Sequence, residues 1–266
     1  MTPCYIASEM SEDLEEALQL GAEAGISTVH LRKSIFGKNV EDLEANDIQR
    51  VQDTFGKFGA NVGVLMPPFA KCDIDKPDAI REHQGIFVRT VTVAKALGTN
   101  LVRCFPFTGG GDSDHTPDRI DGYLDRIVEN LSPSVKHAEA EGITMCFEVV
   151  NNTIARSAAD TRKVIDALDS PAAKVIWEID TAWRVGEPPS EGYGLIGGLV
   201  RDIHIKPNDR GEMDPIGDTG ETMGQVIRGL RDDGYDGFIS IEHWKGQEGI
   251  LKGLRLLTES LEDSHL

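Results

Sequence analysis

Basic residues are scarce in this 266-residue chain, with 27 Lys and Arg against 45 Asp and Glu and a net charge of −18 at pH 7. That excess would repel a phosphate backbone, and no basic patch is concentrated anywhere to offset it. Nucleic acid is therefore not an expected partner. Long apolar runs are missing too: no stretch reaches about 18 uninterrupted apolar residues. Met1 to Ser11 also lacks a basic region followed by an apolar one, so the expectation is a cytoplasmic protein without a membrane segment. Cysteine is limited to Cys4, Cys72, Cys104 and Cys146. They are far apart and form no Cys-x-x-Cys pair, which fits buried free thiols in a reducing compartment rather than a disulfide framework. Gly109-Gly110-Gly111 has neither a Lys-Ser/Thr nor a Gly-x-Gly-x-x-Gly companion, so it reads as a loop and not as a nucleotide phosphate site.

What is present is repetition. Short apolar runs alternate with longer amphipathic ones, the sequence form of consecutive βα units. Eight strands are predicted: Cys4–Ala7, Thr28–Arg32, Asn61–Met66, Leu101–Phe105, Ile143–Asn152, Val175–Asp180, Asp202–Lys206 and Phe238–Glu242. The predicted helices are Glu12–Ala24, Ala45–Phe58, Asp78–Leu97, Pro117–Ala140, Ala158–Leu168, a short one near Tyr193–Leu199, Thr219–Asp232 and Gln247–Leu261. No composition shift marks a linker. Residues 1–266 are expected as a single α/β domain, a (β/α)₈ TIM barrel.

Four of these strands end alike. Ile143–Asn152 runs apolar into Glu148, Val175–Asp180 into Asp180, Asp202–Lys206 carries His204, and Phe238–Glu242 ends on Glu242. In a closed parallel barrel all strand C-termini open on one face, so these remote side chains can converge there. Carboxylates with one imidazole suit a divalent ion such as Mn²⁺, Mg²⁺, Co²⁺ or Zn²⁺. Alternation along a strand puts Asp202, His204 and Lys206 on one face, and likewise Glu178 with Asp180, Ser240 with Glu242, and His30 with Arg32. A structural ion pair explains any one of these alone; their joint occurrence at four strand ends favours a metal-lined pocket.

In these residues the chain resembles the xylose isomerase-like barrels of sugar phosphate isomerases and epimerases. The likeness is carried by Phe147-Glu148, Asp180-Thr181-Ala182-Trp183, Asp202-Ile203-His204-Ile205-Lys206 and Gly234 to Glu242, with Val29 to Arg32 and Leu101 to Phe105 as the second and fourth strands. It implies one divalent metal held by Glu148, Asp180, His204 and Glu242, with Glu148 and Glu242 doubling as the acid/base pair. It also implies a homo-oligomer, a dimer or tetramer. Three positions depart from the family pattern: His30 stands where Glu is frequent, Trp183 where His is frequent, and Pro207 replaces the Asp that usually follows the lysine. These bear on the substrate rather than on the metal.

The expected activity is isomerisation or epimerisation of a ketose or keto-polyol, in which a proton leaves carbon beside a carbonyl and an enediolate forms. Lys206, Arg103, Arg32, His30 and Asn151 are candidate substrate contacts. Trp183 is a candidate stacking platform, and His243, which alternates outward from Glu242, a more remote candidate. The same proton removal could open an elimination, giving a lyase or dehydratase of a keto-sugar or keto-glycoside. An abasic-site endonuclease would need a histidine-rich cluster and a basic face, against seven scattered histidines and the acidic charge. A non-catalytic sugar-binding barrel is the remaining class, and metal content separates it from the enzymes.

Overall fold

The computed structural model describes residues 1–109, 119–243 and 246–263. Eight parallel strands close into a barrel in sequence order. They are β1 (Thr2–Ile6), β2 (Thr28–Leu31), β3 (Asn61–Leu65), β4 (Leu101–Cys104), β5 (Thr144–Val149), β6 (Ala173–Glu178), β7 (Val200–Ile205) and β8 (Phe238–Ile241), with β8 pairing back onto β1. The helices around them are α1 (Ala7–Met10), α2 (Leu14–Glu23), α3 (Ala45–Phe58), α4 (Pro77–Leu97), α5 (Leu124–Glu141), α6 (Ala158–Leu168), α7 (Ile179–Arg184), α8 (Pro189–Ile196), α9 (Met223–Asp232) and α10 (Gln247–Glu262). Among the described residues no helix is long and apolar enough to cross a membrane.

Strand alternation divides the buried residues into two shells. Side chains such as Val29, Leu65, Val102, Phe147, Trp177, Ile203 and Ile239 belong to a large apolar layer shared with the helices. Their neighbours in the chain point to the barrel axis, where Ile6, Val64, Met66, Cys146 and Ile176 form a small separate apolar plug. The plug fills the interior, so the strand C-termini form the wall and floor of a cup rather than the entrance of a pore. All four cysteines are buried free thiols.

Local sequence accounts for the helix limits. Asp13 caps α2 by accepting from the Glu16 N–H, Ser157 caps α6 through the Asp160 N–H, and Thr222 with Gln225 forms a reciprocal capping box at α9. Gly59, Gly98 and Gly142 end α3, α4 and α5 in left-handed conformations, where a Cβ would be strained. The helix expected near Tyr193 begins at Pro189, a residue suited to the first turn because it has no N–H to leave unpaired. The start expected at Pro117 and the glycines at 110 and 111 lie outside the described residues.

One difference matters for the site. The sixth strand ends at Glu178, two residues before its expected terminus, and Ile179–Arg184 turns immediately into α7. Asp180 sits in the first turn of that helix, where a carboxylate complements the N-terminal dipole, and its Oδ2 accepts from Arg184 Nε at 2.9 Å, one helical turn on.

Candidate metal centre

The adjacent strands β5 to β8 deliver Glu148, Glu178 and His204 at their tips, with Glu242 one residue beyond β8. One ligand atom from each lies within 4.8 Å of every other. His204 Nδ1 stands 3.2 Å from Glu148 Oε1, 3.3 Å from Glu242 Oε2 and 3.8 Å from Glu178 Oε1. Register explains the convergence: Glu178 lies beside His204 across β6 and β7, and the Glu242 N–H bonds the Ile205 carbonyl at 3.0 Å, carrying the β7–β8 pairing one residue further. Glu148, Glu178 and His204 are buried. His204 Nδ1 is also buried and makes no hydrogen bond, and Glu242 Oε2, 3.3 Å from it, is met by the Lys206 ammonium at 3.2 Å. Buried polar atoms ordinarily find a partner, so an imidazole nitrogen left without one among three carboxylates marks a place built for something else. Three carboxylates and one imidazole nitrogen fit a divalent cation.

Opposing charges hold the group together. Burial pushes the Glu148 carboxyl up, but the Arg103 guanidinium and the His204 imidazole outweigh it and hold it at about 2. Glu242 is likewise pushed up by burial and held well below the carboxylate range by His204 and Lys206. For His204 the signs reverse: burial disfavours its cation, yet Asp202 and the surrounding glutamates raise the imidazole well above its ordinary value. Lys206 Nζ lies 2.9 Å from Glu178 Oε1 and 3.2 Å from Glu242 Oε2, and these carboxylates keep its ammonium charged despite burial.

Beneath the glutamates lies a second polar group. Asp202 Oδ2 faces His204 Nε2 at 3.0 Å and His30 Nε2 at 3.0 Å, while Ser240 donates to its Oδ1 at 2.7 Å. The Val64 N–H donates to His30 Nδ1 at 3.0 Å, so the proton of that ring sits on Nε2 and points at Asp202 and Ser240. Gly63 makes room for the ring, since a Cβ there would come within 2.6 Å of it. All four side chains are fully buried. The arrangement fixes His204 with Nε2–H toward Asp202 and leaves Nδ1 for the glutamate cluster.

The structure therefore brings Glu148, His204 and Glu242 together and adds Glu178. Asp180, expected as the fourth ligand, lines the cup from α7 instead: Oδ2 is held by Arg184, and Oδ1, buried without a hydrogen bond, packs against Gly217 so closely that a Cβ there would collide with it. His30 is one layer too deep to meet a substrate. Lys206, Arg103, Arg32 and Asn151 do line the cup, which has a volume of about 470 Å³. Arg103 places Nη1 3.4 Å from Glu148 Oε2 and donates through Nη2 to the Met66 carbonyl at 2.9 Å. Arg32 donates to Glu9 Oε1 at 2.9 Å and lies 3.9 Å from Glu242 Oε1. Trp183 is 39% exposed on α7 and is not part of the cup lining. The His243 ring turns outward onto Gly249 of α10. Sequence reasoning missed Glu9 and Lys71. Glu9 receives both Arg32 and the His243 N–H, the latter at 3.0 Å, and no motif marks either residue.

Comparison with known proteins agrees with this architecture. An uncharacterized protein of Methanocaldococcus jannaschii is 26% identical over 159 residues, covering 56% of this chain and 54% of that protein, so the match spans about half the length of that relative. Among solved structures, a D-tagatose 3-epimerase-like protein superposes with a TM-score of 0.77 at 18% identity, covering 98% of this chain and 97% of the other. The 3-keto-D-glucoside 4-epimerase of E. coli gives 0.76 at 15% identity, covering 98% of each. The probable 3-DHS dehydratase of Bacillus anthracis also gives 0.76 at 15%, covering 97% and 99%. At these identities the likeness speaks for the fold. The family model for the xylose isomerase-like TIM barrel matches residues 18–260, and the chain belongs to that family.

Proposed function

We propose that this chain is a divalent-metal-dependent isomerase or epimerase of a ketose or keto-polyol, moving a proton beside the carbonyl. The observation that carries this reading is the four-residue cluster at the strand tips, with His204 Nδ1 buried among three carboxylates and without a hydrogen bond. Glu148, Glu178, His204 and Glu242 would hold the ion, of which Mn²⁺, Mg²⁺, Co²⁺ and Zn²⁺ all accept such donors. When bound, the ion supplies a Lewis acid for the substrate carbonyl.

The remaining chemistry belongs to side chains. Glu148 and Glu242 come from β5 and from the end of β8, three strands apart, and are both held ionised, so one can take a proton from carbon and the other return one. Arg103 orients Glu148, and Lys206 orients Glu242. A cup of about 470 Å³ suits a small molecule rather than a polymer. The epimerases and the dehydratase of the same fold both fit this reading, because removal of a proton beside a carbonyl can begin either outcome. Incubating metal-loaded protein with a panel of ketoses and keto-glycosides in deuterated water tests it. Deuterium at carbon beside the carbonyl is expected, with an epimer or isomer as product; loss of water or of the glycosidic group would assign a lyase. No exchange with any compound, by a protein that holds its metal, would overturn the proposal.

A further inference from the structure

Among the described residues, each cation that lines the cup has a carboxylate partner, with one exception. Arg103 faces Glu148, Lys206 faces Glu178 and Glu242, and Arg32 is bound to Glu9. Arg184 is shared by Asp180, Asp209 and Asp218. Lys71 lines the same cup, yet among the described residues no carboxylate lies within ion-pairing distance of its ammonium. It stands 4.5 Å above the Phe105 ring, on the side of the cup where Arg103 also lies against that ring at 4.9 Å. The loop that carries it is fixed: the Lys71 N–H bonds the Pro68 carbonyl at 2.9 Å, and the Phe105 N–H bonds the Phe69 carbonyl at 3.1 Å.

Resting on the proposed function, we propose that the substrate carries an anionic group, a carboxylate or a phosphate monoester, and that Lys71 receives it. A part-buried ammonium over an aromatic face, with no carboxylate among the described residues close enough to pair with it, is a position open to an incoming anion. Burial pushes the Lys71 amine below its ordinary range, an effect that a bound anion would reverse. A charge-assisted contact in such a setting is stronger than a neutral one, enough to choose between substrates differing in one terminal group.

Three five-carbon probes of one stereochemistry test this, none of which has a carbonyl to react: D-arabinitol, D-arabinonate and D-arabinitol 5-phosphate. Each is titrated calorimetrically into Mn²⁺-loaded full-length protein. One of the anions should bind at least about tenfold more tightly than arabinitol, and which one it is identifies the group. A carboxylate can also chelate the metal, so the variants decide. Lys71→Met and Lys71→Gln should both lose the preference while keeping Mn²⁺ and arabinitol affinity, and Lys71→Arg should keep it. Equal binding of all three probes by the wild type, or a preference that survives in Lys71→Gln, would overturn the inference. Either result leaves the deuterium-exchange test of the parent reading unaffected, and failure of exchange leaves the probe affinities readable.

Discussion

The two halves of the barrel carry opposite chemistry at their tips. Strands β5 to β8 supply every member of the candidate metal cluster, Glu148, Glu178, His204 and Glu242. Strands β2 to β4 and the loops after them supply Arg32, Lys71 and Arg103 to the same cup. A fold of repeated βα units has no symmetry reason for this split. The half with the four candidate ligands could hold a cation; of the cations opposite, Arg103 faces Glu148 and Arg32 is bound to Glu9, while Lys206 and Arg184 reach the cup from the acidic side. The support underneath is shared, because His30 of β2 reaches the floor on which His204 of β7 rests.

The sharpest ways to break this contrast act on the acidic half. Glu148→Gln and Glu242→Gln should each lower turnover by about 10²–10⁴-fold with the far-ultraviolet spectrum unchanged, since each removes one end of the proton path. A double variant that remained active would end the assignment. Next in size is the exchange of roles between two neighbours. Glu178→Gln should weaken metal binding more than about 100-fold, whereas Asp180→Asn should weaken it less than about tenfold, judged against the effect of outer partners. Thermal melting gives a readout independent of activity: metal at about 100 times its dissociation constant adds roughly 2.7 kcal/mol. For a chain of this size that raises Tm by roughly 5–10 °C. Glu178→Gln should lose that protection at the same metal concentration.

A smaller change tests the shared floor. His30→Gln keeps a side chain in the space but removes the ring that braces Asp202, and it should cost about 10–100-fold in metal affinity, measured by manganese paramagnetic resonance. Unchanged affinity would reduce His30 to packing. The smallest effect is expected at Trp183, which lies outside the lining: Trp183→Ala should change stability and substrate affinity by no more than about 0.5 kcal/mol each. A large rise in KM with an unchanged Tm would restore it as a stacking surface.

Much of this was legible in the chain because strand parity is a strong constraint. Asp202, His204 and Lys206 alternate with isoleucines that must face the helices, so their inward direction follows from the pattern alone. Glu148 and Glu242 are legible for the same reason, each ending a buried run. Parity also put Glu178 on the inner face with Asp180, but it cannot say where a strand stops. Ile179 and Asp180 extend the apolar-acidic pattern, and only the helical turn closed by the Asp180–Arg184 pair shows that the strand has already ended. Depth is invisible in the same way: His30 and Arg32 share a face, yet one lies in the floor and the other at the rim. Lys71 carries no periodic signal, because it follows Pro67-Pro68 in a loop whose path is set by pairing with the segment after β4.

The most direct test of the central claim is metal stoichiometry by elemental analysis after loading and desalting, on the wild type beside Glu178→Gln and Asp180→Asn. The account predicts one divalent ion per chain in the wild type and in Asp180→Asn, and a loss of most of it in Glu178→Gln. A wild type that retains no metal, or a Glu178→Gln protein that retains as much as the wild type while Asp180→Asn is empty, would contradict it.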